Sequence, residues 1–116
     1  MKLGEFSISL AVKNIDSSLN FYGALGFKCI DGGHINNDFP DSEAMKWCIL
    51  QNGSIKIGLF QGMFNNNILT FNPTSVLGIQ KHLKKENISL IKEVSESDKS
   101  IVLIDPDGNQ IMFEKI

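Results

Sequence analysis

The chain has 116 residues, 42% of them hydrophobic, with a formal net charge of −2, so it is sized for one domain with a real core. All of its basic residues are lysine, and only Lys81, Lys84 and Lys85 cluster, which argues against a nucleic-acid binder built on Arg forks and a basic face. No apolar run approaches the roughly 20 residues needed to cross a bilayer, and Met1 to Phe6 lacks the apolar core of a signal peptide, so the expectation is a cytoplasmic protein with no membrane partner.

In chain order, Phe6 to Val12 alternates, with Phe6, Ile8, Leu10 and Val12 on one face and Ser7, Ser9 and Ala11 on the other, the pattern of a half-buried strand. Asn14 is placed to cap a helix, with Asp16 favourable in its first turn. Ile15, Leu19, Tyr22 and Leu25 fall at helical spacing, and Gly26 suits the stop. Phe27 to Ile30 reads as a second strand. Asp31 to Ala44 is a long loop rich in Gly, Asn and Asp, of the kind that serves as a functional lid or a mobile connector. A hairpin follows from Trp47 to Phe60, turning at Asn52-Gly53.

Gln61 to Asn67 links to a second half. Ile68 to Phe71 is a strand ended by Pro73, and Thr74 or Ser75 caps a helix whose buried stripe is Val76, Ile79 and Leu83. Asn87 closes that helix, Ile88 to Ile91 is a strand, and Ile101 to Glu114 is a hairpin turning at Asp105-Pro106-Asp107-Gly108. The predicted order is β-α-β-β-β, twice, an internal repeat that takes precedence over other fold inferences. The fold class is α+β: two tandem βαβββ modules, about residues 5–62 and 66–116, forming one domain over 1–116. Each helix covers one sheet face. The other face carries Ser7, Ser9, Lys56, Gly58, Phe60, Thr70, Gln110, Met112 and Glu114, and two curved half-sheets there would enclose a small-molecule cleft.

Three segments bear on a family. Leu10-Ala-Val-Lys-Asn-Ile-Asp-Ser-Ser-Leu-Asn-Phe21-Tyr22, Leu25-Gly26-Phe27 and Asp105-Pro-Asp-Gly-Asn109, in this order and spacing, resemble the vicinal oxygen chelate superfamily of glyoxalase I, bleomycin-resistance proteins and extradiol dioxygenases. The resemblance covers essentially the whole chain. It implies paired modules in a half-barrel around one cleft, often a homodimer, and in metal-dependent members a divalent ion held by His, Gln and Glu from four strands. Carried onto this sequence, the four ligand positions are Ser7, Gly58, Asn66 (or its neighbour Asn67) and Met112. Serine, glycine, an amide and a thioether are poor donors for a hard or borderline divalent ion. The resemblance therefore implies the fold while arguing against the family's metal chemistry, and the expectation is no cofactor and no metal.

Candidate site residues follow from parity and residue type. Trp47 and Phe60 are the stacking surfaces, with Trp47 also explicable as core packing. Glu114, sharing parity with Gln110 and Met112, is a candidate hydrogen-bonding carboxylate that Lys56 could pair with; the alternative reading is an exposed residue near a chain end. The expected ligand-binding set is Ser7, Ser9, Trp47, Lys56, Phe60, Asn66, Thr70, Met112 and Glu114, around a small organic molecule. His34 reads as a surface loop residue and His82 as an exposed helix residue. Asp105 and Asp107 read as turn-forming Asx residues. Cys29 and Cys48 read as buried free thiols in strands. Three functions remain open: metal-free sequestration of an organic ligand, a metal-dependent lyase, isomerase or dioxygenase with atypical donors drawn from His34, Asp38, Glu43 or Glu114, and a dimerising module with a vestigial cleft.

Overall fold

A computed structural model describes residues 1–92 and 99–115. It is a mixed α/β protein, with seven strands and two helices among the described residues: β1 (Glu5–Val12), α1 (Ile15–Ala24), β2 (Lys28–Gly32), β3 (Lys46–Asn52), β4 (Ile55–Gln61), β5 (Ile68–Asn72), α2 (Val76–Lys85), β6 (Ser100–Ile104) and β7 (Gln110–Glu114). Two compact units divide the chain, residues 7–67 and residues 1–6 with 68–116.

In the unit of residues 7–67 the strands run in the order β2-β3-β4-β1. β1 lies parallel to β4, and β4, β3 and β2 pair antiparallel. The alternation in β1 places Ile8, Leu10 and Val12 on the face that also carries Cys48, Leu50, Ile57 and Leu59, and these pack with Ile15, Leu19, Tyr22 and Phe27. Asn14 starts α1 as expected, its side chain accepting from Ser17 N–H at 3.1 Å. Gly26 stops it with φ +95, a value that costs glycine little. Leu25, expected in the buried stripe, is 57% exposed, because it is the C-cap residue and no longer on the helical path.

The first hairpin pairs Asn52 with Ile55, so its two loop residues are Gly53-Ser54 rather than Asn52-Gly53. Positive φ falls on Gly53 alone of the two (φ +60), the pattern of a type II′ turn with glycine in first place. β2 starts and ends later than Phe27 to Ile30, and it carries a register shift between Cys29 and Asp31. A bulge of this kind inserts one unpaired residue and bends an edge strand.

In the second unit β7 lies between β5, its parallel neighbour, and β6, its antiparallel one. Val76, Ile79 and Leu83 of α2, the stripe read from the sequence, are all buried with Ile101, Leu103 and Phe113. Ser75 is the cap, accepting from Gly78 N–H at 3.0 Å. Asn87 closes the helix at φ +60, a conformation asparagine tolerates better than most residues. The strand expected over Ile88 to Ile91 is not formed. Ile91 and Lys92 N–H both donate to Val102 O, leaving one isolated bridge at Lys92.

The closing turn is built by Asp105. Its carboxylate accepts from Asp107 N–H at 2.9 Å, from Asn109 N–H at 2.8 Å and from Asn109 Nδ2 at 2.7 Å. The local reading of that aspartate therefore stands, and these donors, led by the Asn109 amide, hold its carboxyl below the usual value.

Candidate ligand-binding site

β-strand alternation gives the strands of each unit a face turned away from that unit's helix. In the unit of residues 7–67 the residues on that face line up in rows: Ser9 opposite Gly58 opposite Ile49, and Ala11 opposite Phe60 opposite Trp47. Lys56 lies opposite Gln51. Ser9 is buried, whereas Trp47, Lys56 and Phe60 are half-buried. Ser7 is half-buried on the same strand face, and Asn66 is exposed. The neighbouring Asn67 uses its side-chain oxygen to accept from Ala11 N–H at 2.9 Å.

The aromatic residues of this face form a connected surface. Trp47 and Phe60 lie with planes 7° apart and centroids 6.4 Å apart, and Phe64 tilts against Phe60 at 5.3 Å. These separations fall within the range of attractive aromatic pairs. Phe64 was missed in the sequence because it lies in the linker after β4, where no strand parity assigns it a face; its only signal was an aromatic residue four positions beyond Phe60. The Trp47 ring is fixed from its other side, since Nε1 donates to Phe39 O at 2.7 Å while Asp41 Oδ1 accepts from Trp47 N–H at 3.1 Å. The 31–44 segment thus serves as a strap that orients Trp47.

In the second unit Thr70, Met112 and Val102 make one row on the face turned from α2. Thr70 is buried and Met112 half-buried. Glu114 stands opposite Ser100. It is exposed as a residue, yet its carboxyl is desolvated enough to be pushed above the usual value, with the Lys92 ammonium opposing the shift.

The metal chemistry implied by the resemblance can be tested on the donors themselves. A Cβ added at Gly58 would meet Phe60 Cε2 at 2.5 Å and Ile49 Cδ1 at 3.3 Å. The Phe60 ring therefore fills the space that a ligating side chain at position 58 would need. Ser7, Asn66 and Met112 supply a hydroxyl, an amide and a thioether, which do not fit a hard or borderline divalent ion. Among the described residues no three His, Cys, Asp or Glu side chains are placed to hold a metal ion together.

In the unit of residues 7–67 a concavity of about 550 Å³ opens on the helix side, with Ile15, Leu19, Cys29, His34, Asp41 and Cys48 among its lining residues. Cys48 is buried as expected, but Cys29 is exposed, because it sits on edge strand β2 just before the bulge. The two sulfurs are 2.7 Å apart, and His34 Nε2 lies 3.8 Å from Cys29 Sγ. Burial and the neighbouring Cys29 push the Cys48 thiol up to about 12. Nothing in the spacing of Cys29, His34 and Cys48 announced this cluster; β2–β3 pairing and the bulge bring it together.

Solved structures give the fold its name. At 15% identity and a TM-score of 0.65, the chain is similar to a glyoxalase/bleomycin resistance protein/dioxygenase superfamily member from Vibrio splendidus 12B01, covering 97% of this chain and 98% of that one. At 16% identity and a TM-score of 0.55 it is similar to catechol 2,3-dioxygenase, spanning 97% of its own length and 40% of that chain. A protein described as an NAD-dependent benzaldehyde dehydrogenase from Legionella pneumophila matches at 20% identity and a TM-score of 0.71, over 96% of this chain and 98% of that one. No family model and no curated protein matches the sequence. The chain has the vicinal oxygen chelate fold. The differing descriptions of these neighbours illustrate that such a fold does not fix an activity. Among the described residues no helix is long and apolar enough to cross a membrane.

Proposed function

We propose that this protein binds a small, partly aromatic organic molecule, in the manner of the sequestering members of its fold, without a metal ion and without making or breaking a bond. One observation carries the reading: the Phe60 ring occupies the space over Gly58 and joins Trp47 and Phe64 in a continuous aromatic surface. A position at which metal-dependent relatives present a ligand is here part of a stacking platform. Aromatic surface of this kind contributes affinity through area burial at small entropic cost, with a few polar groups fixing orientation. Ser7, Ser9, Lys56 and Asn66 are the polar candidates around the platform, and Thr70, Met112 and Glu114 are the candidates on the sheet face of the second unit turned from α2.

The test is a thermal-shift and Trp-fluorescence screen against planar organic compounds, with and without EDTA and divalent ions. Stabilising compounds are expected, with no effect of chelator or metal. Phe60→Ala should weaken the best compound by about 1 kcal/mol, roughly fivefold in Kd, as an aromatic pair contributes. Stabilisation that requires a stoichiometric divalent ion would overturn the proposal in favour of a metal-dependent lyase, isomerase or dioxygenase.

A further inference from the structure

The helix-side concavity of the unit of residues 7–67 holds chemistry that ligand binding does not use. Its floor is a pair of thiols, Cys29 on edge strand β2 and Cys48 on β3, with sulfurs in contact at 2.7 Å. One is exposed and one is buried. A third reactive group, the His34 imidazole, stands 3.8 Å from the exposed sulfur. Ile15 and Leu19 of α1 wall the space apolarly, and the concavity is roomy enough to admit a small molecule to Cys29.

We propose that Cys29 and Cys48 form a reversible dithiol–disulfide site oxidised by small hydroperoxides, with Cys29 as the attacking thiol, His34 as its proton acceptor and Cys48 as the resolving thiol. In the first step Cys29 Sγ attacks the distal peroxide oxygen. An S–O bond forms and the O–O bond breaks. The thiol proton passes through His34 Nε2 to the departing oxygen, which leaves as an alcohol, or as water from hydrogen peroxide. In the second step Cys48 Sγ attacks Cys29 Sγ. The S–S bond forms, the S–O bond breaks, and the hydroxyl leaves as water with the Cys48 proton. Two thiols lose two electrons and the peroxide gains them.

The division of roles follows from access and contact. A hydroperoxide reaches Cys29, whereas Cys48 is only 2% exposed and burial keeps it a thiol until a partner sulfur is presented. The resolving step needs the sulfurs to close by less than an ångström to the disulfide length of about 2.05 Å. The register shift between Cys29 and Asp31 leaves one residue of edge strand β2 outside the ladder beside Cys29. Fast capture by the contacting thiol also protects Cys29 from irreversible over-oxidation.

The reduced full chain treated with hydrogen peroxide decides the matter. The expected result is loss of both free thiols, a mass decrease of two hydrogens, one Cys29–Cys48 cross-linked peptide, recovery with a thiol reductant, and altered emission from Trp47, the residue next to Cys48. Cys48→Ala should stop at a Cys29 sulfenic acid that dimedone traps, and Cys29→Ala should leave Cys48 unreacted. His34→Gln should slow the first step roughly tenfold or more, since positioned proton acceptors contribute about a hundredfold and this contact is long. Intact thiols, cross-links only between chains, or a Cys29 sulfinic acid beside free Cys48 in the wild-type chain would each overturn the proposal, whether or not the variants fold; an unchanged rate in His34→Gln would remove His34 from it. The thiol count, the mass and the cross-linked peptide are read separately from the ligand screen, because they report the sulfurs themselves, whereas the emission of Trp47, which also lines this concavity, is common to both.

Discussion

Gly58 and Phe60 are two positions apart on β4, so their side-chain directions coincide, and the Phe60 ring leans back over the glycine. This arrangement makes a test at single-residue resolution. Gly58→Ala places a methyl at 2.5 Å from the ring and is expected to cost about 1–3 kcal/mol, the range for overpacking. In a Phe60→Ala background the same change should cost much less. Urea denaturation of the four proteins reads the coupling directly. Additive costs would mean that the ring does not occupy the space. Trp47 and Phe60 were legible in the sequence because strand parity assigns each a face. Phe64 and the Cys29–His34 contact were not, since one lies in a linker and the other depends on a bulge that no short-range pattern encodes.

The two helices illustrate how much an element owes to its own sequence and how much to packing. Both begin where a side-chain oxygen can satisfy an early N–H, at Asn14 and at Ser75. Ser75→Ala should lower the unfolding free energy by about 1 kcal/mol, and Ser75→Gly by only a few tenths, measured by urea or thermal unfolding. Equal losses in the two variants would show that the cap hydrogen bond is not the source. α2 buries Val76, Ile79 and Leu83, whereas of the α1 residues only Ile15 is buried. The α2 stripe was legible from helical spacing, and the α1 stripe was legible except for Leu25, which falls at the C-cap and is exposed. The strand expected over Ile88 to Ile91 failed for a reason beyond periodicity. Asn87 turns the chain at positive φ, and both Ile91 and Lys92 aim their N–H groups at one carbonyl of β6, which leaves a bridge in place of a ladder.

For the molecule as a whole, two carboxylates give opposite slopes to stability in acid. Asp105 has a lowered folded-state pKa, chiefly through Asn109; its contribution is complete above the ordinary aspartate value near 3.8 and is lost as pH falls through the folded value. Glu114 has a raised one, through desolvation; its contribution is present below the ordinary glutamate value near 4.5 and is lost as pH rises through the folded value. Glu114→Gln should therefore remove the decline above that pH and leave the protein more stable than wild type at neutrality. Asp105→Asn should lose stability at neutrality and converge on wild type in strong acid. Urea midpoints across a pH series check both, and a Glu114→Gln protein that is less stable at neutrality would refute the assignment.

The amino-acid order by itself determined the strands and helices with strong periodicity, the Asn14 cap, the closing turn at Asp105, the core face of the strands in each unit and the resemblance that the solved structures bear out as a fold; it placed the first hairpin turn one residue early. These are short-range properties, fixed by the 2.0 and 3.6 periods and by local side-chain-to-backbone bonds. Only the tertiary structure decided that a phenylalanine ring fills the space above Gly58, that a strap from the 31–44 segment fixes Trp47, and that an exposed thiol, a buried thiol and an imidazole share one concavity. The lean of the Phe60 ring is set by side-chain packing, the strap by hydrogen bonds between the loop and Trp47, and the thiol cluster by β2–β3 pairing with its register shift; none of these is encoded by a short-range pattern.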